Sequence, residues 1–271
     1  MKSEVFNGQR FWTYFKYDFK QMGRNHVKAA IGFGLAGLIL YFLVVLFKLI
    51  FTGEWMGPSF NTRLGVFVIM CMAVPFYYTR IYGYLTDKRK GSAYLMLPAS
   101  TFEKWLSMML LSLVLLPLLF LASSFLVDWL LCVIDPTMSD SILGSITDKT
   151  GILRTELATL NETYETSWSI GTIGWPILVS FLGNLLYFLL CGICFRRNKI
   201  LGAIAVSIGI TMLLSFVLSL FGESSSFNLS SEDIDFAQRF KSLLHWSTAI
   251  SALLCAGLSA GIFYRLKTLK H

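Results

Sequence analysis

Charge is what this sequence is short of. Only 14% of its 271 residues are Asp, Glu, Lys or Arg, against about 25% in ordinary soluble domains. That leaves too few polar side chains to coat a globule in water. The five cysteines (Cys71, Cys132, Cys191, Cys194, Cys255) all fall within apolar runs, where they act as small hydrophobes and provide no disulfide framework. Cys191-Gly192-Ile193-Cys194 is a lone CxxC with no second pair for zinc. The three histidines (His26, His245, His271) are scattered, and no HExxH occurs. No GxxxxGK[S/T] phosphate loop is present either, so any ATP that drives this protein is expected on another chain. With no nucleophile–base pair and no metal cluster, the expectation is a protein that is not itself an enzyme and carries no cofactor or metal.

Apolar residues fill the space that charge leaves. They make up 55% of the chain, aromatics 15%, and the mean hydropathy is +0.63. Apolar runs, charged only at Lys48 and Arg80 near the ends of the first two, occupy about 29–50, 64–84, 105–127, 171–195, 200–221 and 243–264, each near the ~20 residues that cross a hydrocarbon core. Backbone groups in lipid must be satisfied within their own segment, and these runs do not alternate as barrel strands do. The expected fold is all-α: a polytopic integral membrane protein with six transmembrane helices over 29–264, preceded by an N-terminal leader over 1–28 and followed by a short tail over 265–271. Gly32-Phe33-Gly34-Leu35-Ala36-Gly37 fits the GxGxxG dinucleotide pattern, but it lies inside an apolar run with no strand before it. Its small residues read as a helix-packing face, as do Ala252, Ala256, Gly257, Ala260 and Gly261.

Basic residues set the expected orientation. The leader (Lys2, Arg10, Lys16, Lys20, Arg24, Lys28), the loop after run two (Arg80, Lys88, Arg89, Lys90, Lys104), the turn after run four (Arg196, Arg197, Lys199) and the tail (Arg265, Lys267, Lys270) together hold 17 of the 23 Lys and Arg. All four segments lie on one side, so both termini are expected in the cytoplasm of a cell-membrane protein, the inner membrane in a bacterial cell. Lys48, Arg63, Lys149, Arg154, Arg239 and Lys241 fall on the other side with 12 of the 16 acids. The external loops over 135–170 and 222–242 read as solvated connections, or alternatively as a substrate gate or docking surface. Asn184 within the fourth run and Asp128 at the outer end of the third are the polar residues to note, and no chain of buried ionisable groups suggests a proton relay.

Two stretches carry functional signal. In the leader, Phe11, Phe15, Phe19 and Met22 recur at helical spacing, with Arg10, Thr13, Lys16, Lys20 and Arg24 mostly on another face. That pattern predicts an amphipathic helix lying against anionic membrane lipids, with Gly23 permitting a bend into the first span. The cytoplasmic loop over 85–105 runs Asp87-Lys88-Arg89-Lys90-Gly91-Ser92-Ala93-Tyr94-Leu95-Met96-Leu97-Pro98. Four consecutive apolar residues in a loop must either enter the headgroups or dock on another protein. Ser100-Thr101-Phe102-Glu103 has capping-box spacing and predicts the start of span three.

The order acid, basic cluster, Gly-Ser, apolar run, Pro, small residue, Ser after the second span resembles the intracellular coupling segment of ABC type 2 permeases, the membrane subunits of exporters powered by ATP-binding cassettes. The six-span plan, the interfacial leader and the cytoplasmic termini are similar to that family too. Gly91 to Pro98 is a shorter interval than the family's commonest form, and the loop over 135–170 is longer. The resemblance implies a cytoplasmic ABC ATPase partner that pushes on Asp87, Lys88, Arg89, Lys90, Gly91, Ser92, Tyr94, Leu95, Met96, Leu97 and Pro98. It also implies a second copy of the permease or a homologous permease, and no nucleic acid. An interior poor in charge favours a lipid-like, peptide or other hydrophobic cargo. The alternative is a non-transporting scaffold or regulator whose loop docks a cytoplasmic partner.

Overall fold

The computed structural model describes residues 6–86, 91, 94, 96–138, 140–164, 169–222 and 233–268. Among them every regular element is a helix and none is a strand. Five stretches are long and apolar enough to cross a membrane: Val27–Thr52, Phe60–Thr86, Thr101–Ile134, Ile170–Cys194 and Lys241–Thr268. The chain has the make-up of a membrane protein. The expected run over 200–221 lies in a further helix, of which the apolar part described in side-chain detail, Lys199–Met212, is shorter than a crossing.

By contact the chain divides into two compact units, residues 1–74 with 98–153 and residues 75–97 with 154–271. In the first, helix α1 (Gly8–Thr52) carries the leader and the first apolar run as one unbroken helix of 45 residues. Asn7 caps its start, its side chain accepting from the Gln9 and Arg10 amides. Gly53 ends it at φ 72°, a left-handed position that favours glycine, with its N–H on the Leu49 carbonyl. Helix α2 (Phe60–Ile81) passes from the first unit into the second at Pro75.

Helix α3 (Thr101–Ile134) opens with the capping box that the sequence predicts. The Ser100 side chain takes the Glu103 amide, and the Glu103 side chain takes the Ser100 amide. Its stretch Leu110–Leu115 is wound as a π-helix, with the Leu116 N–H reaching back to the Leu111 carbonyl. The cause follows directly in the sequence. Pro117 has no N–H, and its ring would strike the carbonyl four residues earlier in a tight α-turn. A wider turn relieves that clash. Gly34 on α1 lets α3 close in: a Cβ there would stand 3.3 Å from Val127 and 3.5 Å from the Ser123 carbonyl.

The segment expected as a loop over 135–170 instead carries helix α4 (Ile142–Tyr164). It is too polar to register as an apolar run, but it is free of proline, and Ser141 caps its start by accepting the Gly144 amide. In the second unit, α5 (Ile170–Cys194), α6 (Lys199–Gly222) and α7 (Asp233–Thr268) pack with the end of α2 and a 3₁₀ turn over Gly83–Thr86. α7 begins within the expected loop over 222–242, whose residues 223–232 lie outside the described residues. Gly261 of α7 approaches Leu190 of α5, while Gly257 faces open space.

Gly192 on α5 is the tightest approach in this unit, since a Cβ there would fall 2.7 Å from the Thr79 backbone carbonyl. Neither backbone can yield without moving a helix. Gly192→Ala is expected to cost about 1–3 kcal/mol, read as a lowered melting temperature in detergent, and Gly257→Ala, in open space within its helix, is expected to lower it not at all.

Candidate functional site

The start of α3 is built around one carboxylate. Glu103 is fully buried, and its two oxygens accept from the Asn7 amide at 2.9 Å, the Ser100 amide at 2.9 Å, Arg10 Nε at 2.8 and 3.1 Å, and Arg10 Nη2 at 2.8 Å. Removing a charge from water costs several kcal/mol unless donors replace the lost hydration. Here one guanidinium and two backbone amides do so. Eight residues further along α1, Asp18 is buried and accepts a 2.7 Å bond from Ser107 Oγ. The first turn of the leader, the turn before α3 and the first turns of α3 are therefore one braced piece.

This brace shows which leader face is turned inward. Tyr14 and Asp18 are buried, whereas Phe11 and Phe15 are half-buried and Phe19, Lys16 and Lys20 are exposed. Phe11, Phe15 and Phe19 form a ladder with centroid spacings of 5.9 and 6.3 Å. Lys16 lies over the Trp12 ring at 5.4 Å. The aromatic and basic side chains thus stand on the outer face, and the side chain of Met22 lies outside what is described. Gly23 lies within continuous helix, with no non-helical residue at the junction. Arg10, expected with the outward basic residues, instead turns to Glu103, and Asp18 looks in the sequence like one more solvated charge. The signal of the inward face was a buried-face register, Arg10, Tyr14 and Asp18 at i, i+4 and i+8.

Of the predicted coupling segment, Asp87, Lys88, Arg89, Lys90, Ser92 and Leu95 lie outside the described residues. Gly91 is buried. Tyr94 is buried and meets the Tyr84 ring edge-on at 6.2 Å. Leu97 is half-buried, with its N–H directed to the Tyr94 carbonyl, and Pro98 is exposed. Met96 is 84% exposed, the most exposed large apolar side chain among the described residues. In the same unit, Lys199 directs its ammonium to the Gly83 carbonyl and the Thr86 hydroxyl. The sequence offered it only as one more positive charge.

At the other end of the first unit, Arg63 and Asp128 form a buried ion pair of 2.8 Å. Arg63 also reaches Cys132 Sγ and the Asp140 carbonyl, while Asp128 accepts the Ile142 amide at 2.7 Å, holding the first turn of α4. A cavity of about 60 Å³ lies against this pair, with apolar walls that include Phe33, Phe67, Met70 and Val127. Beside it, Asp135 accepts from the Tyr41 hydroxyl at 2.7 Å and from the Thr137 hydroxyl and amide. Thr137 in turn accepts the Gly57 amide, and Lys48 donates to the Gly57 carbonyl. Burial alone would raise the Asp135 carboxyl, but the donors from Thr137, Tyr41 and Trp55 outweigh it and hold it below its ordinary value. Asn184, the other polar residue noted in the sequence, lies exposed on α5.

No family model, curated protein or solved structure matches this chain.

Three outcomes follow from this geometry. Glu103→Ala removes the cap and strands Arg10, at an expected cost of about 3 kcal/mol; Glu103→Gln, which keeps an acceptor, is expected to lose less in the same melt. Arg63→Met or Asp128→Leu alone is expected to cost about 3–5 kcal/mol by leaving a lone buried charge, and the double change less than the sum. The lowered carboxyl of Asp135 contributes stability that is complete above the ordinary carboxylate pKa of about 4 and is lost as pH falls through the lower native value. The difference in melting temperature between the wild type and Asp135→Asn should therefore be largest above about pH 5 and shrink as pH falls below about 4.

Proposed function

We propose that this chain is the membrane-spanning subunit of an exporter powered by a separate cytoplasmic ABC ATPase, as its resemblance to ABC type 2 permeases implies. In this reading α6 supplies the sixth span, both termini lie in the cytoplasm, and the outer face of the leader rests against anionic lipid headgroups of the cell membrane. The observation that carries it is the brace at Glu103. Met96, an exposed apolar side chain, stands a few residues before a helix start tied by four hydrogen bonds to the leader. A push delivered to the segment 87–98 enters α3 at its first turn, and the Arg10 and Asp18 contacts share it with α1. A soft connection would dissipate that displacement; a buried, charge-assisted one transmits it. The second copy or homologous permease that completes the transporter belongs to the same proposal.

The test is capture of the ATPase from native membranes through the tagged protein. Met96→Asp is expected to reduce capture at least tenfold, because a charge placed in an apolar contact is not compensated. Met96 is 84% exposed, so the fold should tolerate the change. Deleting residues 91–97 is expected to abolish capture while the spans remain inserted. Retention of a stimulated ATPase by both variants would overturn the assignment, and capture of a partner that hydrolyses no nucleotide would point to a scaffold instead.

A further inference from the structure

Helices α1 and α3 of the first unit run parallel, and paired contacts give their common register. Arg10 meets Glu103, Asp18 meets Ser107, Phe33 meets Phe120 at 5.3 Å, and Tyr41 meets Asp135 just beyond the end of α3. Five residues above Asp18 lies Gly23; five above Ser107 lies Ser112, in the π segment. A glycine of α1 and the π turn of α3 therefore stand at the same height. Gly23 is buried, and a Cβ added there would have the Phe19 ring as its nearest neighbour, at an ordinary contact distance of 3.8 Å. Packing therefore does not demand a glycine at this point, although glycine weakens a helix relative to alanine. The π segment has long-reach hydrogen bonds, a proline behind it, and Ser112 Oγ donating back to the Met108 carbonyl at 2.5 Å, a contact that bends helices. Above this level α3 is locked by Phe120 and Phe125 against Phe67 and by Asp128 against Arg63. Below it the Glu103 brace locks α3 to the leader.

We infer that Gly23 and Leu110–Leu115 form a paired hinge, about which residues 8–22 and 101–109 swing together as a two-helix paddle. A single weak point would be splinted by the neighbouring helix; two at one level share an axis. The inference rests on the proposed function only for what pushes the paddle.

Pulsed electron paramagnetic resonance tests it on the full chain in lipid nanodiscs, with labels introduced as non-canonical amino acids so that the native cysteines remain. A pair at Lys16 and Leu126 spans the hinge, and a pair at Leu118 and Ile134 lies wholly above it; all four positions are exposed. The hinge-spanning distance distribution is expected to be at least twice as wide as the control. Deleting Leu113 in a Pro117→Ala background removes the extra residue of the π turn and the ring that enforces it, while leaving both locks in register. Combined with Gly23→Ala, it is expected to narrow the distribution to the control width. If the deletion does not fold, Gly23→Ala alone is expected to narrow it in part. Equal widths in the wild type, or no narrowing in the variants, would overturn the hinge whether or not an ATPase is captured. Failure to capture an ATPase, with the widths as expected, would instead remove the proposed motor and leave the hinge standing.

Discussion

The carboxylate of Glu103 has no access to water, and the arrangement at the start of α3 follows from that. An anion without hydration must be given donors, and the donors available come from two places far apart in sequence, the first turn of α1 and the turn before α3. Satisfying Glu103 therefore brings the leader onto α3 in one register, and Asp18 and Ser107 repeat the tie eight residues up α1 and four up α3. With its inward face committed in this way, the leader has only one face left for its aromatic ladder and its lysines, and that face is turned outward.

The same requirement acts at the far end of the unit. Arg63, Asp128 and Asp135 are buried beside apolar walls, and each is answered by a fixed partner: the opposite charge, a hydroxyl, or the first amide of α4. These contacts tie the first turn of α2, the last turns of α3 and the first turn of α4 to one another. Between the two polar ends α1 and α3 pack through small residues and rings, with glycine allowing close approach where Gly34 meets Ser123 and Val127. The unit is thus stiff at both ends and carries a wide helical turn in between.

Much of the architecture could be read directly from the order of residues. Long runs without charge dictate membrane-length helices, because a backbone in hydrocarbon has no other way to satisfy its polar groups. The Ser100–Glu103 box marks the start of α3 because capping is a local interaction with a fixed spacing. Pro117 marks the site of an irregular turn for an equally local reason, its missing donor. Helix α4 escaped notice because it is polar throughout, and a search for apolar runs has no means of detecting it.

What the linear order could not decide is which charges face inward. Glu103 serves the cap from its own turn, but its second role, as the acceptor for Arg10, depends on a residue 93 positions away. Asp18, Arg63 and Lys199 read alike as solvated or anchoring charges until a distant hydroxyl, carboxylate or carbonyl stands beside them. Local rules act over a turn or two of helix, and they set the number, length and ends of the elements. The energy of a buried charge is set by what surrounds it in space, and only the packing of helices on one another supplies that surrounding.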